Sequence, residues 1–377
     1  MSDEVEALEE AKRFLKAEVV PVAELIDRDV EALHRVVDRM GELGLLALKR
    51  PERFGGPEMS EPLFRIFQEE MARASGTLAF LTTQHQSAVS MIANGENDAL
   101  KQEYLPKMAN GERLVGIGFS QLRRSGPPIM RAKRVEGGYL LDGHVPWITG
   151  WTFFPEFMIG AMLPDGQAVF AVAPLVDLDQ ETIFQGQSAS DESFTDGQVR
   201  ISPPMQLAAM GAAMTVTAEF SNFMVRDEKV AFLRPAGWIQ NSDMINIALQ
   251  GHFAIGCAMA GIDVVRQNAI KKPFCFLEDA VDALESELAA LKMATAQAQK
   301  SADDSTTPER LQVRAWAIDF AARCAHAAIA ASSGAANSID HPAQRIYREA
   351  LVFTVSAQTP QVMEATLNRL TSRRQPQ

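Results

Sequence analysis

One carboxylate sits at a break between two helical stretches: Asp340, in the run Ser333-Gly334-Ala335-Ala336-Asn337-Ser338-Ile339-Asp340-His341-Pro342. An Ala-rich helix stops there and a second begins, with Pro342 just inside it and Ile346, Leu351 and Val355 near one face. A carboxylate on a loop between rigid helices suits a catalytic base, and an Asp before a Pro equally suits a helix N-cap. A second group offers different chemistry: Trp147, Ile148 and Thr149 end a β-like run and combine a broad apolar surface with a hydroxyl donor. A third group is cationic. Arg123 and Arg124, followed by Arg131, Lys133 and Arg134, form a local basic cluster suited to a phosphate or another anion.

These groups need a large scaffold, and the chain supplies one. Its 377 residues are 47% hydrophobic and 22% charged, inside the globular range, and the length fits two or three domains. No run approaches the ~18 apolar residues of a membrane span. A net charge of -12 argues against a general nucleic-acid binder, which needs a basic surface to neutralise phosphates. Cys257, Cys275 and Cys324 are far apart and lack paired ligand spacing, which predicts reduced, mostly buried thiols and no metal site. The acidic start, Met1-Ser2-Asp3-Glu4-Val5-Glu6, lacks the basic-then-apolar order of a secretory signal, so a cytoplasmic location is expected.

Hydrophobic periodicity divides the chain in three. Residues 1–111 are helical, as in the spacing of Val30, Leu33, Val37, Met40 and Leu43, with a turn-rich connector at Pro51-Glu52-Arg53-Phe54-Gly55-Gly56-Pro57. Residues 112–235 change to short β-like runs such as Tyr139-Leu140-Leu141, Phe157-Met158-Ile159 and Ala168-Val169-Phe170-Ala171-Val172. Residues 236–377 return to long helical segments rich in Ala, Leu and Met, whose lengths predict an antiparallel bundle. The polar stretch from Ser301 to Pro308 reads as a loop with a helix cap near its end. The fold class is α+β, mostly α.

This order resembles the acyl-CoA dehydrogenase family of flavoproteins over nearly the whole chain. Leu43-Gly44-Leu45-Leu46-Ala47-Leu48 followed by Pro51-Glu52-Arg53-Phe54-Gly55-Gly56 is similar to the family's LGLLGL..PEEYGG, and the run from Tyr104 to Glu112 to its YLPKLASGE. The most specific match is Gly138-Tyr139-Leu140-Leu141-Asp142-Gly143-His144-Val145-Pro146-Trp147-Ile148-Thr149-Gly150, similar to GYxLNGxKxWITNG. The resemblance implies a helical domain, a β domain and a four-helix bundle. It implies FAD as cofactor, with Trp147 against the flavin, Ile148 beside it and the Thr149 hydroxyl near N5. It also puts Asp340 at the position of a catalytic Glu, and Ala357-Gln358-Thr359 where the family has Glu-Gly-Thr, so Gln358 and Thr359 are expected near the adenine end of FAD. The chemistry implied is α,β-dehydrogenation of an acyl thioester, with Asp340 removing a proton.

Three departures from the family pattern stand out. Asp340 is one methylene shorter than Glu. Phe119-Ser120-Gln121-Leu122-Arg123-Arg124 replaces a TEPxAGSD loop, so Ser120, with Phe119 beside it, takes the place of a hydroxyl facing flavin, and Arg123 and Arg124 become candidate substrate contacts. An RxxFG motif is missing from the segment between Val264 and Phe274, where Arg266, Lys271 and Phe274 are the nearest substitutes. On an earlier helix, where some relatives carry their base, Asn246 stands with Asp243 nearby. His85, after Thr82-Thr83-Gln84, matches a position near the family's substrate cavity.

The leading expectation is therefore an FAD-dependent oxidoreductase acting on an acyl thioester or related carbonyl compound, as a homodimer or homotetramer with an electron-transfer partner. Two alternatives share the fold: a reduced-flavin-dependent monooxygenase, and a non-catalytic binding or scaffold protein that has lost flavin.

Overall fold

The computed structural model describes residues 2–124, 126–175, 197–300 and 307–372. The first part is helical: α1 (Asp3–Phe14), α2 (Ala23–Ile26), α3 (Val30–Glu42), α4 (Glu61–Ala74), α5 (Gly76–Ala93) and α6 (Asp98–Met108). α3 shows why. The Asp29 side chain caps it by accepting from the Ala32 N–H at 2.8 Å, and Leu33, Val36, Val37 and Met40 then fall on one buried face. Ser75, extended at φ -159, separates α4 from α5 and caps the latter through the Leu78 N–H.

Among the described residues eight strands follow: β1 (Val115–Gly118), β2 (Met130–Val135), β3 (Gly138–Ile148), β4 (Glu156–Met162), β5 (Ala168–Pro174), β6 (Gln198–Ile201), β7 (Val216–Arg226) and β8 (Val230–Arg234). They form one sheet in the order β6-β7-β3-β2-β4-β5-β8, with β1 paired in parallel to β4. The expected β-like runs at 139–143, 157–160 and 168–172 lie on β3, β4 and β5. β5 is buried along almost its whole length, whereas β7 alternates between core and exposed residues.

The remaining helices are α7 (Trp238–Asn246), α8 (Gly251–Lys271), α9 (Cys275–Lys300), α10 (Thr307–Ser332), α11 (Pro342–Val355) and α12 (Pro360–Thr371). α8 is the buried axis of this bundle. A Cβ added at Gly261 would lie 2.7 Å from the Cys324 backbone, so α8 and α10 meet main chain to main chain. The polar stretch 301–306 lies outside the described residues. Cys257 and Cys324 are buried and Cys275 is exposed. Among the described residues no helix is long and apolar enough to cross a membrane, and no His, Cys, Asp and Glu cluster is arranged to hold a metal ion.

The start of α11 corrects one expectation. Its N-cap is His341, whose Nδ1 accepts from the Ala343 N–H at 3.2 Å; Asp340 lies one residue earlier and does not cap the helix.

The helical and β parts are tied together by a buried carboxylate. Asp27, 1% exposed, accepts from Thr77 Oγ1 on α5 (2.9 Å), from the Met210 N–H in the β part (2.8 Å) and from Arg348 Nη1 on α11 (2.7 Å). Its carbonyl also accepts from the Ala212 N–H at 3.1 Å. A second clasp lies beside it: Arg345 holds Glu349 through two bonds of 2.8 and 2.9 Å, and Glu349 accepts from the Gly76 N–H at 2.9 Å. Replacing Asp27 with Ala removes the carboxylate that matches the Arg348 charge and the acceptor of a buried N–H, so urea unfolding should show a loss of about 3–5 kcal/mol. Asp27→Asn, which keeps an acceptor oxygen but not the charge, should lose less.

Candidate functional site

The end of β3 is shaped by a bulge. Val145 pairs with Ala218 and Ile148 with Val216, so Pro146 and Trp147 together face the single residue Thr217 on β7. Pro146 has no N–H to offer the ladder and fits at such a break. Val145 and Ile148 stay fully buried, while Trp147 is turned outward and is 47% exposed. A large aromatic ring is thus presented at the surface by a rigid strand.

Just beyond the bulge, Thr149 and Thr215 face each other, 5% and 2% exposed, with their hydroxyl oxygens 3.0 Å apart. Gly150 follows at φ +92, and a side chain there would run into the Phe154 ring and Leu81 of α5. Its N–H donates to the Ala213 carbonyl at 2.8 Å, and the Trp151 N–H to Met214 at 3.3 Å. Those carbonyls close the short turn Gly211–Ala213, which Met210 and Met214 flank at φ 62 and 49. Left-handed backbone at two non-glycine residues is strained and survives only where the surroundings hold it. Asp27 does this, through the Met210 and Ala212 N–H groups.

The loop after β1 packs beside this strand end: a Cβ added at Gly118 would lie 3.6 Å from Ile148 Cγ1. Ser120–Arg123 forms a 3₁₀ turn. Phe119 packs edge-on against Phe170 at 5.5 Å, and Gln121 Nε2 donates to the Gly160 carbonyl at 2.8 Å. Four buried polar atoms on these two loops have no hydrogen-bond partner: Ser120 Oγ, Gln121 Oε1, Trp151 Nε1 and Thr152 Oγ1. Buried polar groups are rarely left so, and a concentration of them beside an exposed Trp is what a flat ligand with polar edges would satisfy. The residues at this end of the sheet therefore fit the isoalloxazine portion of FAD, with Trp147 as a surface and Ser120 and Thr149 as hydroxyl donors.

Other expected site residues are placed differently. Arg123 is held by Asp243 of α7 through bonds of 2.7 and 3.0 Å, so its charge is already matched; Arg124 is exposed beside it. His85 lies inside the fold, bonded to backbone. It is 0% exposed, and its Nδ1 lies 3.0 Å from the Val115 N–H while Nε2 lies 2.9 Å from the Met108 carbonyl, a set that a neutral ring protonated on Nε2 satisfies. Asp340 is on an exposed turn, its side chain 72% accessible, paired with Arg28 Nη2 at 2.5 Å. No hydrogen bond or ion pair among the described residues ties it to Ser120, Trp147 or Thr149. Thr359 caps α12 by accepting from the Val362 N–H at 3.3 Å, and Gln358 is half-buried next to Ala357, at φ 49. Arg314 fastens this loop. Buried 2% exposed, it donates to the carbonyls of Ser356 (2.8 Å) and Gln250, and burial lowers its pKa to about 10. Arg266 pairs with Asp263 and Glu285, and Phe274 stacks on Phe276.

Sequence reasoning missed Trp151, Thr152, Gln121 and Thr215. The first two directly follow Trp147-Ile148-Thr149-Gly150 and were within reach of a longer motif. Thr215 joins the site only through the β3–β7 register.

Known proteins share this architecture. A sequence model described as the N-terminal domain of acyl-CoA dehydrogenase matches residues 2–112. The mitochondrial isovaleryl-CoA dehydrogenase of Solanum tuberosum is 32% identical over 152 residues, which is 37% of this chain and 36% of that enzyme. This chain thus spans only about a third of the length of that relative. The 3-(aryl)acrylate reductase of Clostridium sporogenes is 20% identical over 374 residues, 95% of each chain. A glutaryl-CoA dehydrogenase from Mycobacterium smegmatis, solved in complex with FADH2, superposes with a TM-score of 0.77 at 13% identity, covering 99% of this chain and 95% of that one.

Two outcomes are expected from the geometry. Gly150→Ala forces a side chain into Phe154 at positive φ and should lower stability by more than about 1 kcal/mol in chemical unfolding. Burial holds the His85 imidazole below its ordinary pKa, outweighing its backbone hydrogen bonds. The unfolded chain therefore takes up a proton near pH ~6.5 that the folded chain does not. His85's contribution is complete above that pH and is lost as pH falls toward the folded value, by up to about 1.4 kcal/mol per unit. In unfolding curves from pH 8 to 5, His85→Gln should flatten that decline.

Proposed function

We propose that the chain is a member of the acyl-CoA dehydrogenase family, an FAD-dependent oxidoreductase acting on a carbon–carbon bond beside the carbonyl of an acyl thioester or a related compound. The observation that carries this reading is the end of β3: an exposed Trp147 on a bulge, flanked by Thr149 and by unpartnered side-chain atoms of Ser120, Gln121, Trp151 and Thr152. Bound there, FAD would supply the hydride acceptor.

The protein's own part is positioning and electrostatics. Trp147 offers a flat apolar face, which excludes water on one side of a bound ring. Ser120 Oγ and Thr149 Oγ1 offer donors on rigid backbone, held before any ligand arrives, so little reorganisation accompanies binding. Arg124, exposed next to the Arg123–Asp243 pair, is free to meet an anionic group of the substrate or cofactor. Asp340 is the proposed proton acceptor, and in this role its pair with Arg28 has to open when substrate binds. We place the working form in the cytoplasm as a homodimer or homotetramer that passes electrons to a partner protein. The exposed Leu351 and Val355 of α11 and Leu367 and Leu370 of α12 support association through that surface.

The test begins with the visible spectrum of the purified protein and its uptake of FAD. A yellow protein bleached anaerobically by one of a panel of acyl-CoAs is the expected result. A colourless protein that does not take up FAD overturns the proposal, and O₂-dependent product formation from externally reduced flavin would move it to oxygenation. As a base, Asp340 should contribute about 10²–10⁴-fold to the bleaching rate. Equal bleaching by Asp340→Asn removes it from the reaction and leaves its pair with Arg28 as a surface contact.

A further inference from the structure

The contact between the Thr149 and Thr215 hydroxyls goes beyond a cross-strand packing pair. The register Ile148↔Val216 sets the two residues opposite each other, and their oxygens lie 3.0 Å apart with either able to donate. Both are at least nine-tenths buried, so water does not compete for the bond. Backbone pins surround it: Gly150 and Trp151 are bonded to Ala213 and Met214 on one side, and the Thr215 carbonyl accepts from the Met205 N–H at 2.8 Å on the other. The backbone is held on both sides of the pair, and the hydroxyl protons are free to turn.

We propose that Thr215 is a positioning residue that sets the direction of the Thr149 hydroxyl proton and lets that hydroxyl serve both redox states of a bound flavin. This rests on the reading of Thr149 as the group facing flavin N5. Oxidised N5 is an acceptor and reduced N5–H is a donor. A hydroxyl carries one proton and two lone pairs. When Thr215 donates to Thr149, the Thr149 proton points outward to an acceptor. When Thr149 donates to Thr215, a lone pair points outward to a donor. Reversing one hydrogen bond between the two oxygens switches the site from donor to acceptor without moving a heavy atom.

Without Thr215, the outward-donating state survives, because Thr149 keeps its proton. The outward-accepting state does not, because that proton then has no buried acceptor. Thr215→Val, nearly the same shape, should therefore weaken binding of reduced FAD relative to oxidised FAD by about tenfold. For a two-electron couple this lowers the midpoint potential by about 30 mV.

The experiment measures, on the full chain loaded with FAD, the Kd of the oxidised cofactor and the midpoint potential by equilibration with a reference dye. Thr149→Val is the marker that Thr149 faces the cofactor, and Thr215→Ser keeps the hydroxyl. The expected result is a lower potential in Thr215→Val, an oxidised-FAD Kd within about threefold of the parent, and a near-parental potential in Thr215→Ser. If Thr215→Val does not fold, Thr215→Ala carries the same expectation. A parental potential in Thr215→Val while Thr149→Val is shifted overturns the role of Thr215 alone, as does an equal shift in Thr215→Ser, which would trace the effect to packing. A parent chain that does not take up FAD, or a Thr149→Val variant with parental potential, overturns the reading of Thr149 on which it rests.

Discussion

The fold depends on Asp27 being buried and still satisfied. A carboxylate removed from water is costly unless every lone pair finds a donor, and here the donors come from three separate parts of the chain: Thr77 on α5, Met210 in the β part and Arg348 on α11. No subset of these parts meets the requirement alone. The charge therefore fixes how the helical segments stand against the sheet, a job that apolar contacts do with less directional precision.

The consequence reaches the site through backbone rather than side chains. Asp27 holds Met210 and Ala212, the left-handed Met210 and Met214 frame the turn, and that turn's carbonyls receive Gly150 and Trp151. Thr149 and Thr215 meet at the end of this path. Strain at two methionines is tolerable because it is paired with hydrogen bonds on both sides. The bulge at Pro146-Trp147 completes the arrangement by putting the indole outside while Ile148 stays in the core.

Charge placement explains where the basic loop and the carboxylates ended up. Asp243, a weak candidate for chemistry, neutralises Arg123, so α7 is locked to the loop after β1 instead of presenting an acid to a cavity. Arg28 does the same to Asp340 at the surface. Arg314 is the opposite case, a buried guanidinium that donates to the Gln250 and Ser356 carbonyls and staples the α7–α8 junction to the loop before α12.

Local pattern was enough for much of this protein. Helical periodicity placed the two helical parts, Gly- and Pro-bounded β-like runs placed β3, β4 and β5, and the Trp147-Ile148-Thr149 motif pointed to the end of β3. These features are legible because they depend on residues a few positions apart. Asp340 was read as a cap where His341 caps, and Arg123 and His85 were read as ligand contacts where one meets Asp243 and the other two stretches of backbone. The run from Thr215 to Phe220 reads only as a β-like stretch, with nothing in it to mark Thr215 as a site residue. The cap is a local exchange between neighbouring residues, but the others depend on partners brought from farther along the chain, 120 residues for Arg123–Asp243 and 66 for Thr149–Thr215. Which hydroxyl, carboxylate or guanidinium stays free to act is a question of who neutralises whom, and only packing the three parts together answers it.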